Sequence, residues 1–358
     1  MLKFSWAALS FLVWIYQIST SNAQHAVIVP LHLEIRRQVK ENLRCQGMNS
    51  TTIIMVPTTI ETFQLAMVQR HALHSRIESK EDAHCLAAKW ITVCLDQACL
   101  EKCQLERVAH CTVYFPINVH EEHLSAGHHS TGTEIIAEST KPLFFESGAP
   151  GSQQWRRITS LKWEFIGIAL KMGAETVLHV DCDILVLKNP FLQLLEYHGE
   201  KQVLHLSETK DNKDNKARLS GDWNGEKHPC QDAPVHSGLL IVSTCTRNYK
   251  YRIIQLVNHM LDPKNHERII SGAALEQQVL SEAMKEIEVS HCALPKETFA
   301  GHCPHAHADH IDVSHLVTYH AHCTTNVEDK LNLMKKVIHV MGKRTAESSL
   351  KVDDLFQN

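Results

Sequence analysis

The sequence predicts an α/β fold in which strands and helices alternate along the chain. Short apolar runs rich in β-branched residues alternate with amphipathic runs of helix length, an order typical of a parallel sheet with helical crossovers. The 358 residues contain no internal repeat and no obvious linker. We therefore expect one mixed α/β domain over residues 24–358, preceded by a short N-terminal segment.

The predicted strands are short and apolar, and proline or polar turn residues end several of them. One of them begins at residue 176 and runs up to an acidic pair. The other predicted strands cover residues 52–57, 90–95, 111–115, 202–206, 235–242 and 315–322.

The predicted helices carry apolar residues at helical spacing, and Gly173 is placed to end the helix before it. Two polar stretches, 117–154 and 210–234, are interpreted as loops. The predicted helices cover residues 25–44 in part, 60–76, 156–172, 252–261, 271–282 and 328–341, with a short helix or turn over 192–197.

Residues 1–23 have the pattern of a secretory signal peptide. Lys3 provides a short positive region, residues 6–18 are mostly apolar, and residues 19–23 are small and polar, with a cleavage site after Ala23. The apolar run is shorter than the ~20 residues that a membrane-spanning helix needs. A cleaved signal peptide is therefore favoured over a short signal anchor, and a membrane partner is expected only if the segment is retained.

Two further features agree with a secretory protein. The chain has 12 cysteines, more than a reducing cytosol usually keeps. Cys94, Cys99, Cys103 and Cys111 lie close in sequence and can pair locally, although the sequence leaves their connectivity open. Asn49 begins an Asn-Ser-Thr acceptor for N-glycosylation.

The overall charge argues against one class of partner. The formal net charge is −4 with histidine neutral, and hydrophobic residues make up 44% of the chain. This balance is ordinary for a globular protein and indicates no nucleic-acid or anionic-membrane surface, so we expect no nucleic-acid partner. The 26 histidines are the unusual feature of the composition.

The acidic pair Asp181 and Asp183 is the most informative feature of the sequence. It follows a buried apolar strand, and a second apolar run then ends at Asn189-Pro190. In an extended chain, residues i and i+2 point to the same side, so both carboxylates can bind one divalent cation. Ligands of open α/β sheets bind outside the carboxyl ends of the strands, where this pair is expected. A turn aspartate pair without a ligand is the alternative.

Other polar residues are weaker candidates. Thr58 and Thr59 follow the first strand and would face a ligand there, although capping of the next helix explains Thr59 equally well. Lys162 lies on a predicted helix, where a lysine is normally solvated. Trp223, in the polar loop, would stack on a sugar ring or simply pack.

Six blocks follow one another in the sequence over about residues 50–340. They are Lys162-Trp163, Leu178–Asp183 after Gly173, Leu187–Phe191, His236–Val242, Leu275–Leu280 and His320–Lys330. Together they resemble the core of nucleotide-diphospho-sugar transferases of the family 77 type, which are secretory-pathway glycosyltransferases. The resemblance implies a GT-A fold, a Rossmann-like mixed sheet flanked by helices. The sequence departs from the family pattern at His236 and Ser237 for Asn and Thr, Glu276 for Asp, His322 for Asn and Asn326 for Gly.

The resemblance implies a metal site. Asp183 would bind the cation directly, Asp181 would bind the cation or the donor ribose, and His320 would be the third ligand. An oxygen-rich site with one imidazole suits Mn²⁺ better than Mg²⁺, and such an ion offsets the charge of a diphosphate leaving group. Lys330 would contact the diphosphate, with Lys162 as a second candidate.

The resemblance also implies which residues handle the sugar. It places Glu276 and Gln277 at the reacting sugar as the catalytic pair, with Gln277 stabilising the sugar face and Glu276 holding a hydroxyl or orienting Gln277. The family retains the anomeric configuration of its donor. The acceptor and sugar pocket would include Trp223, His236, Ser237, Gly238 and His322.

The expected function is therefore a metal-dependent glycosyltransferase. It would move one sugar from a nucleotide-diphosphate donor, with UDP as the expected nucleotide, to a protein or glycan acceptor. The resemblance to secretory enzymes indicates the Golgi lumen, with secretion as the alternative.

Two other functions stay open. A non-catalytic binding or scaffold protein that keeps the fold is one, because His236 and His322 replace asparagines of the family pattern. A zinc-dependent hydrolase is the other, since a histidine-rich tract offers zinc ligands, but its spacing is irregular and His-Glu-x-x-His is absent. The ligands of that tract would be Cys303, His305, His307 and His310.

Overall fold

The structure is a computed structural model. Expectations for the signal peptide, Asn49, Trp223, His322 and the tract at 303–310 fall outside the described residues and stay predictions. The described residues are 29–41, 43, 45–48, 51–77, 79–115, 142–146, 148–149, 151–194, 201–207, 235–244, 247–295, 298–300, 316–321 and 326–344.

Side-chain caps mark several helix starts. Ser79, Asp96, Ser152 and Asp262 each accept a hydrogen bond from a backbone N–H in the first turn that follows, which satisfies a donor that the helix itself cannot pair. In chain order the helices are α1 (Leu31–Glu41), α2 (Phe63–Arg76), α3 (Lys80–Lys89), α4 (Gln97–Leu105), α5 (Gln153–Lys171), α6 (Pro190–Leu194), α7 (Arg247–Leu261), α8 (Pro263–Ser271), α9 (Glu276–Glu286) and α10 (Val327–Arg344).

The strands form one large sheet and one small sheet. The order in the large sheet is β3-β2-β1-β4-β7-β6-β8, and the order in the small sheet is β5-β10-β9. The strands are β1 (Thr52–Thr58), β2 (Trp90–Cys94), β3 (Cys111–Val113), β4 (Thr176–Val180), β5 (Ile184–Val186), β6 (Val203–Ser207), β7 (Val235–Ser243), β8 (His291–Ala293), β9 (Phe299–Ala300) and β10 (Thr318–His320).

Strand pairing confirms the predicted α/β class with a mixed sheet. β1 is parallel to β2 and β4, and β2 is parallel to β3, so one half of the sheet is parallel. β7 runs antiparallel to both β4 and β6, whereas β6 and β8 are parallel. β4 therefore lies where the parallel half meets an antiparallel strand.

Helices cover both faces of the central strands. In β1, Ile53 and Met55 pack into a core with α1 and α5, whereas Ile54 and Val56 pack into a core with α2 and α3. Strands buried on both faces are apolar along their whole length, which is why continuous apolar runs predicted them. Within the described part of the chain, no helix has the length and apolar character needed to cross a bilayer.

The prediction missed α3, α4 and α8 and the short strands β8 and β9, whereas β5 lies within the apolar run predicted to follow Asp183. The predicted helix over residues 271–282 is wrong at its start. α8 ends at Ser271, Gly272 adopts a φ of +82°, and α9 begins only at Glu276. A positive φ suits glycine and ends a helix, and Asp262-Pro263 was an overlooked signal for the start of α8.

The disulfides confirm part of the local cysteine pairing. Bonds join Cys45–Cys85 and Cys103–Cys111. Cys94 and Cys99 are buried thiols whose sulfur atoms lie 2.9 Å apart. The second disulfide and this thiol pair account for all four clustered cysteines.

Candidate active site

The acidic pair lies in a turn at the carboxyl end of β4. β4 ends at Val180, and residues 181–183 lead through this turn into β5. The extended-chain argument for Asp181 and Asp183 is therefore wrong, since side chains in a turn do not alternate between two faces. The turn still lies at the sheet edge where α/β folds bind their ligands.

Gln69 of α2 fixes the backbone of this turn. Its buried side-chain amide donates to the carbonyl oxygen of Asp181 at 3.0 Å and to that of Ile184 at 2.6 Å. Sequence reasoning missed Gln69, and a glutamine within a helical run gives no signal of such a role. The side chain joins the first crossover helix to the acidic turn.

Asp183 lies beside His320 because the small sheet joins the two segments. β5 follows Asp183 directly and pairs antiparallel with β10, with Ile184 opposite His320. Ala321 N–H donates to Asp183 O at 2.9 Å, and His320 Nε2 lies 3.3 Å from Asp183 Oδ1. Two proposed cation ligands that are far apart in sequence are thus in contact.

Lys330 balances the charge of Asp183. Its Nζ, from the first turn of α10, donates to Asp183 Oδ2 at 2.5 Å. Burial would raise the pKa of the Asp183 carboxyl, but His320 and Lys330 outweigh burial and hold that pKa below its usual range. Burial would lower the pKa of Lys330, but Asp183 outweighs it and the pKa is raised. The two groups therefore form an ion pair at neutral pH.

Asp181 has a different partner, His179, which sequence reasoning missed. His179 lies two residues earlier, in β4, with its Nε2 3.0 Å from Asp181 Oδ1. Burial lowers the pKa of His179 more than Asp181 raises it, so the ring is neutral at pH 7 and its Nε2–H donates to the carboxylate. A polar residue in an otherwise apolar strand was the available signal.

Gly238 in β7 leaves room for three side chains to converge. Asp181 N–H donates to Gly238 O at 2.8 Å, which places the glycine beside the acidic turn. A Cβ atom on this glycine would lie 3.0 Å from His236 Cε1, 3.1 Å from His320 Cε1 and 3.2 Å from Asp181 Oδ2. We call this gap the Gly238 cradle. A larger residue there would push the three side chains apart.

His236 faces the cradle, and its Nδ1 accepts a backbone hydrogen bond. Gly238 N–H donates to His236 Nδ1 at 3.2 Å, so the neutral ring carries its proton on Nε2. The ring meets that of His320 edge to face, with centroids 4.9 Å apart. His236 thus lies beside His320 at the position where the family pattern has an asparagine.

Lys162 lies in a buried network rather than on a solvated helix face, so the expectation of solvent exposure is wrong. Lys162 is 3% exposed. Its Nζ donates to Ser237 O at 3.1 Å and to Ser237 Oγ at 3.0 Å. Glu276 Oε2 lies 3.6 Å from this Nζ. Burial would lower the pKa of Lys162, but Glu276 and Asp181 outweigh it and the pKa is raised.

Glu276 is held by two donors. Trp163 Nε1–H donates to its Oε1 at 2.7 Å, and the Ser237 hydroxyl donates to its Oε2. Glu276 is the first residue of α9, where a carboxylate is favoured by the helix dipole. Gln277 follows it and is half-buried. The pattern of donors fixes the Glu276 carboxylate in one orientation.

Thr58 and Thr59 lie at the carboxyl end of β1, next to β4 in the sheet. Thr58 Oγ donates to Val56 O at 3.2 Å. The capping interpretation of Thr59 is wrong, because α2 begins at Phe63 after Thr62, and Thr59 Oγ instead bonds Thr62 Oγ at 3.1 Å. Both threonines are buried, and a role in donor binding stays a prediction.

The donor set of the site fits a divalent cation. Asp181 and Asp183 offer carboxylate oxygens and His320 offers an imidazole, a combination suited to Mn²⁺ or a similar ion. The Gly238 cradle is bordered by Asp181 Oδ2 and the His320 ring. A cation held by Asp183 would replace Lys330 as its partner.

A cysteine group is a second set of potential ligands. Among the residues that the structure describes, Cys94, Cys103 and Cys111 form the one group of three whose ligand atoms lie within 4.8 Å of one another. Cys103 and Cys111 are joined in a disulfide, whose sulfurs are not thiolate ligands. The ligand atoms of the acidic site are more widely spread, in keeping with the contacts of Asp181 to His179 and of Asp183 to Lys330.

A sequence model of the nucleotide-diphospho-sugar transferase family matches residues 85–334, well over half of the chain. The chain belongs to this family. The matched range runs from α3 to α10 and includes the acidic turn, the Gly238 cradle, Glu276 and His320. A search of curated protein sequences gives no significant match.

Solved structures of other transferases are similar to this nucleotide-diphospho-sugar transferase. Mouse xyloside xylosyltransferase 1 in its apo form has 14% identity and a TM-score of 0.44, with 76% of this chain and 98% of that chain covered. The galactosyltransferase LgtC, in complex with donor and acceptor sugar analogs, has 11% identity and a TM-score of 0.41, with 78% and 94% covered.

The glycosyltransferase GlyE of Streptococcus pneumoniae in its apo form has 10% identity and a TM-score of 0.35, with 82% of this chain and 63% of that chain covered. Within the chain itself, the mixed seven-stranded sheet and its flanking helices agree with the expected GT-A-type architecture. The fold and the family are thus established together.

Proposed function

We propose that this family member is a metal-dependent glycosyltransferase that moves one sugar from a UDP-linked donor to a protein or glycan acceptor, with retention of the anomeric configuration. Family membership supports sugar transfer from a nucleotide diphosphate. The observation that carries the metal-dependent part is the contact between Asp183 and His320 at 3.3 Å beside the Gly238 cradle.

In this proposal Asp181, Asp183 and His320 hold Mn²⁺, or alternatively Mg²⁺. When bound, the ion neutralises charge on the diphosphate as the glycosidic bond breaks. Lys330 would then exchange its contact with Asp183 for a contact with a donor phosphate. Its present position beside Asp183 supports this role, because the ammonium is already at the edge of the site.

On the sugar side, we assign Glu276 an orienting role and Gln277 contact with the sugar. Both oxygens of Glu276 accept hydrogen bonds from neighbouring side chains, which suits a fixed carboxylate better than a proton carrier. We assign Lys162 the role of neutralising the charge of Glu276, not that of contacting the diphosphate.

The proposed compartment is the secretory pathway, with the Golgi lumen as the main site. The disulfides Cys45–Cys85 and Cys103–Cys111 suit an oxidising lumen, since such bonds rarely persist in the cytosol. A cleaved signal over residues 1–23 completes this proposal.

The test of the metal site compares Asp183→Asn with Glu267→Gln, a change of the same kind at an exposed position of α8. Asp183→Asn should weaken Mn²⁺-dependent UDP binding by at least about 10- to 100-fold, as loss of a group that holds the ion requires. Calorimetric titration measures this affinity. Unaltered Mn²⁺-dependent binding in Asp183→Asn would contradict the metal assignment.

Thermal stabilisation by different nucleotide sugars with Mn²⁺ identifies the donor, because a ligand that binds only the folded state raises the melting temperature. A scaffold protein is the second candidate, favoured by His236 in place of the asparagine of the family pattern. A transferase should slowly hydrolyse the nucleotide sugar that stabilises it, whereas a scaffold should bind that nucleotide sugar and leave it intact.

A further inference from the structure

We propose that His179 is a positioning residue for the cation site. It holds one oxygen of Asp181 and thereby directs the other oxygen into the Gly238 cradle. This inference rests on the proposed function, since it concerns the same site. It adds a residue to which the family resemblance assigned no role, although His179 lies within the block Leu178–Asp183.

The backbone around His179 is firmly fixed. β4 lies between β1 and β7, so His179 pairs with Met55 on one side and Leu240 on the other. The residue is 1% exposed. An imidazole in the middle of a seven-stranded sheet has little freedom to move. A side chain that is hydrogen-bonded to it is therefore also held in place.

The two oxygens of Asp181 have separate partners. Oδ1 lies 3.0 Å from His179 Nε2. Oδ2 lies 3.2 Å from the point where a Cβ on Gly238 would be, and the His320 ring borders the same point at 3.1 Å. The hydrogen bond to Oδ1 therefore sets the rotation of the carboxylate that brings Oδ2 to the cradle.

Stability alone does not account for the imidazole. His179 Nδ1 is buried and has no hydrogen-bond partner among the described atoms. A buried acceptor without a partner costs free energy, and the neighbours Val177, Leu178 and Val180 are all apolar. An apolar side chain would suit this position of the sheet better, so the contact with Asp181 is the feature that an imidazole adds.

Two substitutions of the full-length protein separate positioning from packing. His179→Phe keeps a ring but removes the donor, whereas His179→Gln keeps an N–H donor near the position of Nε2. His205→Phe is the matched control, because His205 is also a fully buried strand histidine, in β6, and bonds Leu206 O instead of the acidic pair. Calorimetry with Mn²⁺, alone and with UDP, measures cation affinity, and urea unfolding measures stability.

Positioning predicts a specific pattern of results. His179→Phe should weaken Mn²⁺ binding by about 10- to 100-fold without loss of stability, and His179→Gln should restore most of that affinity. His205→Phe should leave Mn²⁺ affinity unchanged. In an Asp181→Asn background, His179→Phe should have no further effect on the affinity, since the histidine acts through that carboxylate.

Other outcomes overturn the inference. If folded His179→Phe keeps a Mn²⁺ affinity within about twofold of wild type, positioning is ruled out. It is also ruled out if His179→Phe lowers the Mn²⁺ affinity by the same factor in the Asp181→Asn background as in the wild type. If His179→Phe does not fold, the result for His179→Gln decides alone. This variant keeps the N–H donor, so a folded His179→Gln protein that loses as much Mn²⁺ affinity as Asp181→Asn contradicts the proposal. Wild-type protein that binds no Mn²⁺ with or without UDP overturns the proposed function as well, whereas normal wild-type binding confines the failure to His179.

Discussion

At the scale of single residues, buried charge is the dominant feature of the site. Lys162, Asp183 and Glu276 are each less than a tenth exposed. Each has an opposite charge within 3.6 Å, so none carries the full cost of an isolated buried ion. A buried pair of this kind contributes little net stability, but loss of one member leaves the other uncompensated.

This asymmetry gives a prediction for Lys162→Met. The variant should lose about 3–5 kcal/mol of the free energy of unfolding, because Glu276 would remain buried without its cation. Adding Glu276→Gln to Lys162→Met should restore part of that loss, since the uncompensated charge is removed. Urea denaturation of both variants measures the effect, with Lys285→Met on the exposed face of α9 as the control. Additive losses in the double variant would show that the two residues do not act as a pair.

At the scale of secondary-structure elements, one carboxylate attaches α1 to the start of β3. Glu34 accepts from Arg37 Nε at 2.9 Å and lies 2.9 Å from His110 Nδ1. Burial alone would raise the pKa of Glu34, but the hydrogen bonds with His110 and Arg37 outweigh it and lower that pKa to about 2 from 4.5. The charged form of Glu34 therefore stabilises the docking of α1.

The pH dependence follows from the lowered pKa. A carboxyl whose pKa falls on folding contributes stability above its unfolded value of 4.5, and that contribution disappears as the pH falls towards 2. Glu34→Gln should therefore lower the free energy of unfolding at pH 7 by about 1–3 kcal/mol, and its difference from wild type should shrink between pH 4.5 and 2. Urea unfolding at several pH values checks this. A difference that stays constant down to pH 2 would assign the effect to packing.

At the scale of the whole molecule, a disulfide links the segment after α1 to α3. The bond between Cys45 and Cys85 closes a loop of 40 residues that contains β1 and α2. In the chain-entropy description, a cross-link that closes a loop of this length lowers the entropy of the unfolded chain and so adds about 4 kcal/mol to the free energy of unfolding. Replacing both cysteines by alanine should lower the free energy of unfolding by about that amount. Thermal unfolding under non-reducing conditions tests this, and an unchanged melting temperature would show that the bond is not formed.

Much of this architecture was readable from the sequence. Apolar strands buried on both faces and amphipathic helices leave period-dependent patterns, so β1, β4, β7 and α5 were all predicted. The order of the family-like sequence blocks also predicted that Asp183 and His320 lie at one site, but it gave no distance between them. Short helices such as α4 carry a weak apolar period and were missed.

The contacts that depend on tertiary packing were not readable. Nothing local distinguishes Lys162, whose burial depends on α9 and β7, from a solvated helical lysine. Gln69 has the same limitation, because its partners are set by where the acidic turn folds against α2. Sequence patterns describe one segment at a time, and these residues act between segments.

The small sheet also has a consequence for synthesis of the chain. The ribosome makes Asp183 long before β10 and α10, and Lys330 follows it by 147 residues. Until β10 and α10 emerge, Asp183 has neither His320 nor Lys330 beside it. A nascent chain that has reached only the middle of the large sheet therefore carries the Asp183 carboxylate without its ion-pair partner, and the candidate site is completed only when α10 has been made.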